Sequence, residues 1–156
     1  MNKLKKLIII CFVILITGCG FKPILSNKEN TFSISKINLK GEERINYQLA
    51  NKLESYKKLN KNNNVYELSI DTVSNRVITS KDTKGNNKTF RYEISSSVVI
   101  QKKGKLILSK IIKKDFGYTS LTNKFELKKY EENIKKNLVN EIFLDILNLL
   151  RSEYDQ

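Results

Sequence analysis

The chain of 156 residues has no histidine and no tryptophan, a single proline and two cysteines. Each shortage closes a class of chemistry. Without histidine, Ser-His-Asp and Cys-His nucleophilic catalysis are excluded. So few cysteines leave no donor set for a zinc, haem or iron–sulfur centre. There is no glycine-rich phosphate loop, and Asp71, Asp82 and Asp115 have no spacing that pairs them as catalytic carboxylates. The chain is therefore not expected to be an enzyme, and no metal or cofactor is expected. Acid is scarce as well, with 29 Lys and Arg against 16 Asp and Glu.

Long apolar runs are also few. The chain opens with Lys3, Lys5 and Lys6, followed by an unbroken apolar stretch from Leu7 to Ile16 and then Thr17-Gly18-Cys19. A basic start, a short apolar segment and small residues before a cleavage point make a secretory signal peptide. A membrane-spanning helix needs about 20 apolar residues, so this run is too short to cross. The cysteine directly after the small residues resembles the lipobox of bacterial lipoproteins. There the thiol receives diacylglycerol, the preceding peptide is removed and the new amine is usually acylated. Residues 1–18 are thus expected to be a lipoprotein signal peptide, with lipidated Cys19 as the membrane anchor. An ordinary signal peptide with an incidental cysteine is the rival reading. Several acyl chains, at about 0.8 kcal/mol per buried CH₂, hold where one would be marginal. Gly20 rather than Asp follows the cysteine, which under the sorting preference of enteric bacteria implies the outer membrane, periplasmic side.

Removal of residues 1–18 takes away Cys11 and three lysines, leaving Cys19 as the sole cysteine and 26 basic residues against 16 acids, a net of +10. No disulfide is then possible despite export. For an exported chain the anionic partners are phospholipid or lipopolysaccharide head groups and envelope polymers, not nucleic acid. Lys, Asn and Ile are abundant throughout, so part of the basic excess is solvated surface.

Residues 19–31 contain the only proline, Pro23, and no periodicity; they read as a lipidated tether. Residues 32–156 read as one domain. Alternation from Phe32 to Gly41 predicts a strand with a bulge near Lys36, placing Phe32 and Ile34 on one face and Ile37 and Leu39 on the other. Ile45, Leu49, Leu53, Tyr56 and Leu59 make an apolar stripe along a helix over Glu42–Leu59. Three alternating segments follow: Val65–Lys81 with a phase shift near Val73, Lys88–Lys102, and Lys105–Tyr118 with Leu106, Leu108, Ile112 and Phe116 on one face. Lys103-Gly104 is a two-residue hairpin turn, and Asp82 to Asn87 has turn chemistry throughout. A final helix, Phe125–Arg151, carries a stripe from Leu127 to Leu149 that broadens after Leu138. The pattern is an α+β fold, β-α-β-β-β-α, with two helices on one face of a four-stranded, mainly antiparallel sheet. Strands of about 14 residues outrun the usual 3–10, so the tip of the hairpin between Val65–Lys81 and Lys88–Lys102 should project beyond the helices.

The lipobox continuing as Cys19-Gly20-Phe21-Lys22-Pro23, followed by this element order, resembles the lipopolysaccharide-assembly lipoprotein family LptE, also called RlpB, in its alphaproteobacterial form. The resemblance implies a non-enzymatic lipoprotein that plugs the outer-membrane barrel LptD, supports its assembly and binds lipopolysaccharide on its way to the cell surface. Only Cys19 carries over residue by residue. From the residues themselves, Lys81, Lys84, Lys88 and Arg91 converge at the projecting tip around one acid, Asp82, and are the candidate contacts for lipid phosphates. A hairpin kept soluble by charge is the plain alternative. Lys102, Lys103 and Lys105, and Lys110, Lys113 and Lys114, are weaker candidates. Lys128, Lys129, Lys135 and Lys136 alternate with Glu126, Glu131 and Glu132 and read as a solvated helix face. The alternative function is a general envelope lipoprotein that binds lipid or peptidoglycan without a barrel partner.

Overall fold

A computed structural model of the chain describes residues 32–57 and 64–153. The signal peptide, Cys19, the tether and Leu59 lie outside the described residues. The elements are β1 (Ser33–Gly41), α1 (Glu43–Lys57), β2 (Val65–Lys81), β3 (Asn87–Lys102), β4 (Lys105–Thr119) and α2 (Lys124–Ser152). The sheet order is β1-β2-β3-β4, parallel between β1 and β2 and antiparallel across the two hairpins. This is the α+β arrangement expected from the alternation.

Side-chain alternation decides which face the helices cover. Tyr66, Leu68, Ile70 and Thr72 of β2 and Phe90, Tyr92, Ile94, Ser96, Val98 and Ile100 of β3 are buried. They meet Ile45, Leu49 and Leu53 of α1 and Ile134, Leu138, Ile142 and Ile146 of α2 in one core. The broad apolar end of α2 is explained by that core, since Val139, Leu147 and Leu150 are also buried. Asn123 caps α2, its side-chain oxygen accepting from the amides of Phe125 and Glu126, which satisfies two of the free donors of the first turn.

Bulges, rather than alternation alone, set the faces of β1 and β4, and β2 lacks the one expected near Val73. In β1 the register shifts between Ile34 and Lys36. The extra residue restores the phase, so Ile37 and Leu39 return to the helix-covered face, half-buried against the core, and not to the opposite one. In β2 no shift occurs at Val73, which pairs with Ser95 in unbroken register and stands 64 % exposed on the open face. The irregularity lies instead between Ile78 and Lys81. In β4 a bulge opposite Ile100 and Gln101 moves Leu106 to a position beside Gln101. Leu106 is consequently 62 % exposed instead of sharing the core face with Ile112.

Gly41 ends β1 with φ +87°, and a Cβ there would run into the Thr72 carbonyl oxygen. That close approach lets the Glu42 amide bond the same oxygen at 2.8 Å and starts α1 directly over β2. The β3–β4 turn is the two-residue connection expected, with φ 52° at Lys103 and 75° at Gly104.

Candidate functional site

The β2–β3 hairpin outruns its cover. From Thr79 to Lys88 every residue is exposed, while the helices pack over the part of the same ladder below Phe90. No apolar side chain lies between Thr79 and Thr89. The tip is held by polar contacts instead. The Asp82 carboxylate accepts from the amides of Lys84 (2.9 Å) and Asn86 (2.8 Å) and from the Asn86 side chain (3.0 Å). These bonds, the Asn86 side chain's foremost, hold the Asp82 pKa below its ordinary value, helped by the charge of Lys88. Thr89 shares hydroxyl contacts with Thr79 (2.6 Å) and Ser80 (2.7 Å). Asp82 is thus committed to shaping the turn, and Lys81, Lys84 and Lys88 form no ion pair among the described residues.

Arg91 is not part of that cluster. It stands on the open sheet face, its guanidinium 3.6 Å from Asp115 and 3.9 Å from Glu93. Of the four candidates for phosphate contact, the fold brings Lys81, Lys84 and Lys88 around one turn and gives Arg91 carboxylate neighbours. Among the weaker candidates, Lys114 is drawn out of contention. Its ammonium sits 2.9 Å from Asp145 and 4.0 Å from Glu141 of α2; the bond to Asp145 raises its pKa.

The root of the hairpin holds a network that sequence reasoning missed. The Arg76 guanidinium carbon lies over the Phe90 ring, 3.7 Å from its centroid. Its Nε is 2.9 Å from both the Tyr118 hydroxyl and Glu131 Oε1, and the Tyr118 hydroxyl donates to Glu131 at 2.6 Å. Phe90 stacks on Tyr118 at 5.5 Å, and Tyr118 meets the edge of Tyr130 at 6.1 Å. Burial, and then the bond to Glu131, pushes the Tyr118 pKa up to about 12. Burial alone would lower the Arg76 pKa, but the contacts with Tyr118 and Glu131 raise it. Glu131 therefore belongs to an anchor between α2 and the sheet, not to a solvated face. The signal was the even spacing from Tyr66 to Arg76, which an assumed shift at Val73 concealed.

An open groove of about 850 Å³ separates the first turns of α1 from α2, over Tyr92. Arg44, Lys52, Lys135 and Lys136 line it with Glu42, Glu43 and Glu132, and this near balance of charge selects no ligand. Among the described residues no helix is long and apolar enough to cross a membrane.

Two helices on one face of a β1-β2-β3-β4 sheet is a fold this chain shares with solved bacterial lipoproteins. The chain is similar to rare lipoprotein B of Shewanella oneidensis, at 16 % identity and a TM-score of 0.58, over 75 % of this chain and 94 % of that one. It is similar also to a minor lipoprotein of Acinetobacter baumannii, at 13 % identity and TM-score 0.59 over 78 % and 92 % of the two chains. A third is lipoprotein B of Nitrosomonas europaea, at 15 % identity and TM-score 0.56 over 74 % and 80 %. At these identities the likeness is one of fold, and it is the fold that the sequence resemblance to RlpB implies. No protein-family model matches the chain, and no curated protein matches it by sequence.

Proposed function

We propose that the chain is an outer-membrane lipoprotein of the LptE type, anchored on the periplasmic side through lipid on Cys19. Its role is to plug and support assembly of the LptD barrel and to bind lipopolysaccharide in transit. The role is non-enzymatic. The observation that carries this reading is the shared fold with rare lipoprotein B, joined to a lipobox ending at Cys19. A plug must bring its own solubility to the polar interior of a barrel. The tip between Thr79 and Thr89, free of apolar side chains, suits that setting. Lys81, Lys84 and Lys88 are the proposed contacts for the phosphates of lipopolysaccharide, because three lysines with no ion pair among the described residues can each offer charge-assisted hydrogen bonds. Arg91, already beside Glu93 and Asp115, is left outside that contact.

The test is affinity purification of the native lipoprotein from outer membranes in mild detergent. Stoichiometric recovery of the LptD barrel is expected. Recovery of the lipoprotein alone, stable and monomeric, would favour a general envelope-binding lipoprotein instead. Cys19→Ala is expected to leave an unprocessed precursor without palmitate label; label that persists would remove the anchor from the account.

A further inference from the structure

The two edges of the sheet are unlike. β1 is blunted twice on its outer side. Its register shifts between Ile34 and Lys36, and the Asn46 side chain of α1 donates to the Lys40 carbonyl at 2.8 Å. β4 has neither device along most of its length. It pairs with β3 in unbroken register from Leu108 to Thr119. Among the described residues no strand lies on its other side, and no side chain bonds its backbone. An edge strand presents a row of unpaired amides and carbonyls. β4 therefore offers a ladder about 40 Å long with one side unmade.

Its side chains are those of a covered strand. Leu106, Ile107, Ile111 and Phe116 are exposed on β4, Ile111 to 61 % and Phe116 to 45 %, whereas β1 exposes no large apolar side chain. The remaining exposed apolar residues stand on β2, the helices and the loop before α2. Lys110 shares the helix-covered face with its register partner Val98, and Lys113 the open face with Ser95. Neither lysine forms an ion pair among the described residues, while Lys114 is taken by Asp145 and Asp115 lies beside Arg91. An open groove of about 450 Å³ lies between this stretch of β4 and α2, with Ile112, Asn148 and Leu149 along it.

A free ladder, aliphatic side chains on both faces and an unpaired lysine on each face define one kind of occupant. A strand added to β4 completes the ladder. Its alternate side chains reach the groove on one face and Ile111 on the other. A second copy of β4 is disfavoured, because it sets four lysines and one aspartate against the same set.

We propose that the edge of β4 between Leu108 and Phe116 receives an extended, acidic segment of another protein by strand addition. Carboxylates on the two faces of that segment meet Lys110 and Lys113, and an aliphatic side chain enters the groove beside Leu149. The edge runs along the side of the domain. The contact therefore leaves Lys81, Lys84 and Lys88 free and is compatible with a plug that carries its tip into a barrel. It rests on the sheet alone and not on the function proposed above.

The experiment uses the full lipoprotein in detergent micelles. The probe is a peptide of threonine and valine that carries two glutamates three residues apart. Alternate amides between Leu108 and Phe116 should exchange fast in the free protein. They should slow by about ten-fold or more with the peptide, while those of β1 do not change. Peptide affinity should fall several-fold in the K110S/K113S variant. A peptide with lysines in place of the glutamates should bind more weakly, and the fully N-methylated glutamate peptide, which keeps its charge, should not bind. Equal binding by the N-methylated peptide would overturn strand addition, and equal binding by the lysine peptide would overturn the acidic occupant. No binding by the glutamate peptide at millimolar concentration would overturn both. So would β4 amides already slow in the free lipoprotein; if dilution frees them, the occupant is a second copy.

Discussion

The lower and upper halves of the β2–β3 ladder are one continuous hairpin held in two ways. Between Tyr66 and Thr72, alternate side chains are almost fully buried and the helices supply their neighbours. Between Thr79 and Thr89 the same alternation continues with nothing above it, and threonine hydroxyls and the Asp82 carboxylate replace packing. Strand pairing therefore extends well past the core. Apolar burial supplies stability below, at about 25 cal/mol per Å². Above, small polar residues keep an uncovered ladder in water. The Arg76, Tyr118 and Glu131 network stands at the boundary, where cover from α2 ends.

If this division is right, substitutions should lose effect steadily from base to tip. Leu138→Ala and Ile94→Ala, each at a site no more than 2 % exposed, should cost about 2–5 kcal/mol. Thermal melts will read this, and a shift of only a degree or two at both would mean that the faces are misassigned. Gly41→Ala comes next. A side chain at φ +87° against the Thr72 carbonyl should cost on the order of 1–3 kcal/mol in backbone strain, with displacement of β1 from β2 in addition. Denaturant unfolding measures it, and a neutral result would contradict the close approach of those strands.

Arg76→Met probes the boundary directly. Loss of one charged partner from Tyr118 and Glu131 should cost about 1–2 kcal/mol, limited by the exposure of Arg76. Amide exchange should accelerate from Val77 to Phe90 and remain slow from Leu68 to Thr72. Acceleration along the whole ladder would show that base and tip are a single unit. The same network predicts an alkaline limit. Folded Tyr118 keeps its proton up to about 12, whereas a free tyrosine loses it near 10. Between those values the folded state binds more protons than the unfolded one, so stability falls as pH rises. Tyr118→Phe should remove that part of the decline in a pH series of melts; identical curves would place the hydroxyl elsewhere.

Much of the division was legible in the chain. The unbroken period of two from Phe90 to Ile100, and the three- and four-residue spacings of both helices, follow from which faces must be buried, and they identify the core. Strand length against helix cover revealed the projecting tip. What was not legible depended on partners distant in sequence. Whether Lys114 faces solvent or Asp145 turns on the packing of α2 across β4. A bulge leaves no mark in alternation unless apolar residues follow it in phase. Leu106 and Leu108 look alike on paper, yet one extra residue separates their faces. Val73 looked like a slipped residue because an apolar side chain was assumed to seek the core, when it lies on the open face. The tip lysines were visible as a cluster, and Glu93 stands two residues from Arg91 on the same strand, but Asp115 comes from β4 and appears beside Arg91 only once β3 and β4 are paired.

The central claim is that the tip's charge serves binding while the base serves stability. The most direct measurement compares two triple variants of the lipoprotein, K81S/K84S/K88S at the tip and K128S/K129S/K136S on the exposed surface of α2. Both remove three positive charges, so general basicity is matched, and each should change stability by less than about 0.5 kcal/mol per site. Binding of purified lipopolysaccharide is measured at matched ionic strength, since exposed charges are screened over about 8 Å at physiological salt. The account predicts that the tip variant loses most of its binding and that the helix variant keeps nearly all of it. Equal losses would contradict it, reducing the tip to a hairpin kept soluble by charge.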